Sequence, residues 1–154
     1  MIRAYRICQE RYAKSAFDGE GARLYGGRWN HRGTPMVYLA GSVALAQLEM
    51  LVHLDADSVL MNRYVVFPVD VPETLIVKVA PGDVPAEWDS YTAKQQTAES
   101  GDAWFRARSS AVLQVPSAVV PIEFNFLANP LHPDFPQLQI GDAISLRFDQ
   151  RLLK

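Results

Sequence analysis

The chain has 154 residues and a mass of 17.2 kDa, with 15 Lys and Arg against 17 Asp and Glu for a formal net charge of -2. That length suits one domain with a substantial core, and 49% hydrophobic with 21% charged residues excludes disordered, collagen-like and coiled-coil classes. Charge is unevenly spread: residues 1–32 hold seven basic and three acidic groups, a net of +4, against -6 on the rest. A mildly acidic whole argues against general nucleic-acid binding. An arginine-rich N-terminal fifth suggests a narrower task, a pocket for a phosphate-bearing ligand.

Met1 to Cys8 alternates as a first strand does, with Ile2, Ala4 and Cys8 on one side and Arg3, Tyr5 and Ile7 on the other. Residues 18–35 hold five glycines and one proline, a pattern too irregular for a regular element, so a structured loop is expected there. Met36–Ala40 reads as a short buried strand. Ser42 then caps the clearest helix, Val43 to about Leu54, with an apolar stripe of Ala44, Leu45, Leu48, Leu51 and Val52. At 100° per residue Glu49 falls about 40° from Leu45 and about 60° from Val52, at the edge of that stripe.

Tyr64–Val69 and Leu75–Val79 read as strands around a turn, Pro81–Pro85 as loop, and Tyr91–Glu99 as a polar helix stopped at Gly101, with a short helix over Ala103–Arg108. Ala111–Val115 and Ala118–Val120 are expected strands interrupted by Pro116, Phe124–Phe126 is a short strand-like segment, and Ala143–Phe148 alternates as a closing strand. The expected fold class is α+β, a single compact domain over residues 1–154 with a strand-rich core.

The single cysteine, Cys8, permits no internal disulfide and points to a reducing compartment and a small core residue. The sequence shows neither a signal-peptide h-region nor 18 consecutive apolar residues, so a cytoplasmic protein without membrane contact is expected.

Three blocks carry the candidate chemistry. In Gly26–Asn30 (GGRWN), Arg28 follows two glycines and is placed to offer its donor fork to an anion. The plainer alternative is that Arg28 caps a carboxylate while Trp29 covers the core edge. In Val37–Leu54, Glu49 costs desolvation unless a partner or ligand satisfies it, and a salt bridge to an N-terminal arginine is nearly as well supported. Tyr38 reads as a half-buried packing residue with a satisfied hydroxyl, and His53 as a capping or solvated histidine.

In Val115–Pro130, Ser117 offers a hydroxyl at a strand bend without a GxSxG elbow, while Asn125 and Asn129 read as turn formers. His31, His53 and His132 are too scattered to argue for a metal.

These blocks together resemble the RES domain family, toxins of bacterial RES/Xre toxin-antitoxin pairs. The sequence carries GxRLYGGRWNxxGxPxVYLAxSxALAxLExLVHL from Gly21 to Leu54, then VPSAVVP and NFLANPxHPDF from Val115 to Phe135. The resemblance implies a fold similar to the diphtheria-toxin-like ADP-ribosyltransferases and an activity that consumes NAD+ as substrate, with no separate cofactor and no metal. Hydrolysis or phosphorolysis of NAD+, or ADP-ribosyl transfer to a protein, are the reactions it implies. By motif position Arg28, Tyr38, Glu49 and Ser117 take catalytic roles, with Arg6, Arg28, Tyr38 and Asn129 lining the NAD+ pocket. It also implies an Xre-like antitoxin that blocks the site and takes over DNA binding, so no direct nucleic-acid contact is expected of this chain. The apolar pair Leu152-Leu153 is a candidate for an antitoxin or homo-oligomer contact. A non-catalytic binding module, with Arg28 and Glu49 as a structural ion pair, is the contrasting expectation.

Overall fold

The computed structural model describes residues 1–80, 84, 86–90 and 93–153. The loop expected over Pro81–Pro85 lies outside them except for Val84, as do Tyr91 and Thr92 of the expected polar helix. The elements run β1 (Ile2–Gln9), α1 (Glu20–Tyr25), β2 (Val37–Ala40), α2 (Val43–Leu51), α3 (Ala56–Met61), β3 (Tyr64–Val71), β4 (Ile76–Lys78), α4 (Lys94–Ala107), β5 (Val112–Pro116), β6 (Phe124–Ala128), β7 (Gln139–Ile140) and β8 (Ile144–Leu146).

The strands form one mixed sheet in the order β4-β5-β6-β2-β1-β3-β7, with β8 also pairing β3. β4 and β5 are parallel and the other described pairs antiparallel. A parallel pair needs a long crossover, and α4 lies within it. β1 and β3 are matched over eight residue pairs, from Ile2↔Val71 to Gln9↔Tyr64, whereas β1 meets β2 at Tyr5↔Ala40 alone. The sheet is therefore seamed between β1 and β2. Pro68, which has no N–H to donate, sits inside β3 without breaking it. Its position falls between the stretch of β3 that pairs β8 (Tyr64–Val66) and the stretch that pairs β7 (Val69–Asp70).

Alternation along the strands divides the core. Ala4, Val37, Leu39, Phe126 and Ala128 pack on one face, and Leu113, Val115 and Leu127 join Trp29, Met36 and Trp104 on the other. Cys8 is buried beside Ala16, Val65 and Phe67, as expected of a small core residue. At the C-terminal end Leu153 packs on the core while Leu152 is exposed.

The structure corrects the sequence reading in several places. The loop expected over 18–35 contains a short helix, α1, introduced by Gly19 in the left-handed region at φ 75°. Gly101 does not stop a helix: α4 passes straight through it and ends at Arg108, itself left-handed at φ 53°. Ala118–Val120 is not a strand, because the chain leaves the sheet after Pro116 and turns on Ser117, whose Oγ accepts from the amides of Val119 (3.1 Å) and Val120 (3.0 Å). Of the closing segment only Ile144–Leu146 pairs.

Helix α2 begins where expected, with Ser42 Oγ accepting from the amide of Leu45 at 3.0 Å. Its orientation differs. Leu45 and Ala46 are buried, whereas Leu48 and Val52 are 38% and 58% exposed. α2 is apolar on most sides, so periodicity alone does not pick the buried stripe. Packing on β1 and β2 through Leu45 and Ala46 turns Glu49, a turn further along, toward the sheet.

Candidate functional site

Glu49 is half-buried and bonded by two side chains from the sheet. Ser117 Oγ donates to Glu49 Oε1 at 2.6 Å and Asn125 Nδ2 donates to the same oxygen at 2.7 Å. Among the described residues the second oxygen, Oε2, carries no hydrogen bond. The register explains the convergence: Val115 of β5 lies opposite Asn125 of β6, and Ser117 follows two residues on, so both side chains leave the face on which α2 lies. Ser117 is fully buried and its hydroxyl is wholly used, donating to Glu49 while accepting from two backbone amides.

Tyr38 occupies the same face of β2. It pairs with Leu127, which places Asn125 on the diagonal, about 7–8 Å away by sheet geometry. Its hydroxyl donates to Asn30 Oδ1 at 2.6 Å and accepts from the amide of Trp29 at 3.1 Å. Burial pushes that hydroxyl well above the ordinary phenol range, so it stays protonated. Gly27 is glycine for a steric reason: a Cβ there would stand 2.6 Å from the Tyr38 hydroxyl.

Arg28, next to Trp29 on this turn, is half-buried and among the described residues caps no carboxylate. Its Nη1 donates to the carbonyls of Trp88 (3.1 Å) and Ser90 (3.3 Å). The plainer alternative for Arg28 and the ion pair with Glu49 are thus both replaced by backbone contacts. Its companion expectation holds, since Trp29 is 2% exposed in the core edge.

Arg6 sits at the seam between β1 and β2, donating from Nε to the carbonyl of Ala16 (2.5 Å) and from Nη1 to that of Tyr38 (3.1 Å). Burial lowers its pKa, with the nearby Asp18 and Cys8 opposing that shift. The other N-terminal arginines differ: Arg3 pairs with Asp70, Arg23 with Glu20, and Arg11 lies over the Tyr12 ring. Among the described residues Arg6 and Arg28 are half-buried and form no ion pair.

Asn129 does not join the Glu49 cluster. It lies four residues beyond Asn125, about 13 Å along an extended strand. There it behaves as a turn former, Oδ1 accepting from the amide of Leu131 at 2.9 Å. Among the described residues two buried side-chain polar atoms have no partner, Asn129 Nδ2 and Asn125 Oδ1, and the second belongs to the residue that holds Glu49. Asn125, expected as a turn former, lies instead within β6. Its alternation with Leu127 on the face of Tyr38 was the available signal.

One set with metal-ligand spacing exists among the described residues. Ligand atoms of His31, Glu99 and Asp102 lie within 4.8 Å of one another. They are already engaged, His31 Nδ1 with Asp102 at 2.7 Å and Glu99 with Arg106 at 2.9 Å. Two surface clefts of about 530 and 490 Å³ are lined by neither Glu49 nor Ser117.

Fold and cluster together define a small α+β domain that presents one carboxylate, held by a hydroxyl and an amide, on the sheet face that also carries a half-buried tyrosine and an arginine turn. The sequence model of the RES domain family matches residues 3–149. The chain belongs to that family. It is 42% identical to a protein named Toxin Res from Yersinia enterocolitica serotype O:8 / biotype 1B, over 96% of this chain and 97% of that one. It is 36% identical to a protein named Prs ADP-ribosylating toxin from Sphingobium sp. strain YBL2, over 93% and 90% of the two chains. In three dimensions it matches a chain of the M. tuberculosis MbcT-MbcA toxin-antitoxin complex with a TM-score of 0.76 at 22% identity, covering 94% of this chain and 84% of the other. Among the described residues no helix is long and apolar enough to cross a membrane.

Proposed function

We propose that this protein, as one RES domain, is the toxin of a toxin-antitoxin pair and cleaves the nicotinamide-ribose bond of NAD+ in the cytoplasm. The observation that carries the proposal is the Glu49 carboxylate, fastened through Oε1 by Ser117 and Asn125 with Oε2 left to face a ligand. When the glycosidic bond breaks, nicotinamide leaves as a neutral molecule with the bonding electron pair, and positive charge develops on the ribose. A carboxylate already fixed in place stabilises that charge, or holds a ribose hydroxyl, without reorganising during the reaction.

Arg28 and Arg6 are the proposed ligands of the diphosphate, because each is a half-buried guanidinium without an ion-pair partner among the described residues. Tyr38 offers its ring to the nicotinamide or ribose, its hydroxyl being occupied in fixing the arginine turn. Ser117 is proposed to hold Glu49, and Asn129 to shape the pocket at a distance. NAD+ is the substrate and no separate cofactor enters the reading. Water or phosphate then takes the ADP-ribosyl group. Transfer to a protein side chain is the second reading, favoured by the name of the Sphingobium relative.

The names of the relatives support an antitoxin partner, proposed to be Xre-like and to block this site. Incubating the purified protein with NAD+, with and without phosphate, and weighing the products tests the proposal. Free nicotinamide with ADP-ribose or its phosphorylated form supports it, nicotinamide with a modified protein selects the second reading, and intact NAD+ rejects both.

A further inference from the structure

Helix α4 contains choices that make little sense for a helix alone. Gly101 stands in the middle of 14 helical residues, where glycine costs about 1 kcal/mol relative to alanine. Thr97 is fully buried and Asp102 only 5% exposed, although β-branched residues and aspartate are poor helix-interior choices. All three meet the same short stretch of chain, the Gly26–His31 turn that carries Arg28.

The Thr97 hydroxyl has one proton and three carbonyls in reach, and the carbonyl of Arg28 is nearest at 2.6 Å, against 3.0 Å for Lys94 and 3.4 Å for Ala93. A Cβ on Gly101 would stand 1.6 Å from the carbonyl oxygen of Trp29, closer than at any other described glycine. Asp102 accepts from the amide of His31 at 3.1 and 3.3 Å, and its Oδ2 lies 2.7 Å from His31 Nδ1. Thus positions 97, 101 and 102 hold residues 28, 29 and 31 in matching order. The opposite side of the turn is fastened by Tyr38 and by Asn30, whose Nδ2 lies within 3.1 Å of the carbonyls of Ala22, His31 and Thr34.

We propose that Thr97, Gly101 and Asp102 are positioning residues that preset the Gly26–His31 turn, so that the Arg28 guanidinium is aimed before a dinucleotide diphosphate arrives. This rests on the reading that Arg28 binds that diphosphate. Fixing the main chain on both sides lowers the ordering cost on binding, so the gain falls on substrate affinity more than on the chemical step. None of the three residues touches the substrate in this account. They act through Arg28.

The test compares Asp102→Ala, Asp102→Asn and Thr97→Val with Arg28→Ala and the Arg28→Ala/Asp102→Ala pair, measuring nicotinamide release for KM and kcat, and amide hydrogen exchange over residues 26–31. Asp102→Ala is expected to raise KM about tenfold, the scale of one lost hydrogen-bonded contact, with a much smaller fall in kcat and faster exchange in the turn. Asp102→Asn, which keeps an acceptor for the His31 amide, recovers part of both. In the Arg28→Ala background Asp102→Ala adds nothing to KM. Multiplying KM effects in the pair, or unchanged exchange in the turn, overturns the proposal. Thr97→Val carries the same expectations should Asp102→Ala fail to fold. If the wild type releases no nicotinamide, the functional reading fails while the exchange measurement still decides whether α4 presets the turn.

Discussion

The two ends of the candidate site are held in different ways. At the carboxylate end, side chain meets side chain: Ser117 and Asn125 bond Glu49 directly. At the arginine end the main chain is what is gripped, with Arg28, Trp29 and His31 held through backbone atoms by Thr97, the Gly101 crossing and Asp102. In the proposed function the group that meets a developing charge is fixed atom by atom, while a long arginine is aimed by fixing the turn that bears it. Substitutions at the first end should therefore change chemistry more than fold, and those at the second should change backbone placement first.

The largest expected effect breaks the arginine end. Gly101→Ala puts a methyl 1.6 Å from a backbone oxygen that has no flexible way out, and should cost about 3 kcal/mol or more in urea unfolding. Glu49→Gln should leave stability within about 1 kcal/mol, since a glutamine oxygen still accepts from Ser117 and Asn125, yet lower nicotinamide release by about 10²–10³. Asn125→Ala sharpens the carboxylate end with a smaller loss, about tenfold in rate and about 1–2 kcal/mol in stability.

Tyr38→Phe probes the junction of the two ends. It removes the acceptor of the Trp29 amide and the donor to Asn30, for about 1–2 kcal/mol by urea unfolding. The phenol has a second signature. Its folded pKa is raised by burial, so its contribution to stability is complete below the ordinary phenol value of about 10 and is lost as pH rises past it toward the folded value. The phenylalanine variant should lose less stability between neutral and strongly alkaline pH. Smallest of all, Arg3→Ala breaks an exposed pair with Asp70 and should leave nicotinamide release and the urea midpoint unchanged.

The same contrast explains what was legible in the sequence. Strands with clear alternation, such as β1, and the Ser42 cap of α2 could be read from local pattern. Glu49 stood out because a carboxylate beside an apolar stripe is costly without partners. Which face of α2 is buried was not legible, since Leu48 and Val52 are as apolar as Leu45. The role of Gly101 was not legible either. A glycine in a polar helix reads as a stop until the crossing Trp29 backbone is known, and that contact joins residues far apart in the chain. Opposite charges suggest an ion pair between Arg28 and Glu49, whereas register places Ser117 and Asn125 beside the carboxylate and Arg28 reaches the carbonyls of Trp88 and Ser90 instead. The excess of basic charge in residues 1–32 also divides on inspection: Arg3 and Arg23 are paired at the surface, Arg11 and Arg32 are exposed, and Arg6 and Arg28 are half-buried, which is why these two are proposed for an anion.

The most direct test of the central claim follows nicotinamide released from NAD+ by the wild type and by Glu49→Gln at equal concentration, with unfolding curves recorded on both. Steady release by the wild type and a loss of at least about 10² in the variant are expected, with stabilities within about 1 kcal/mol of each other. Equal release by the two proteins would contradict the assignment of Glu49, and no release by a folded wild type would contradict the cleavage of NAD+ itself.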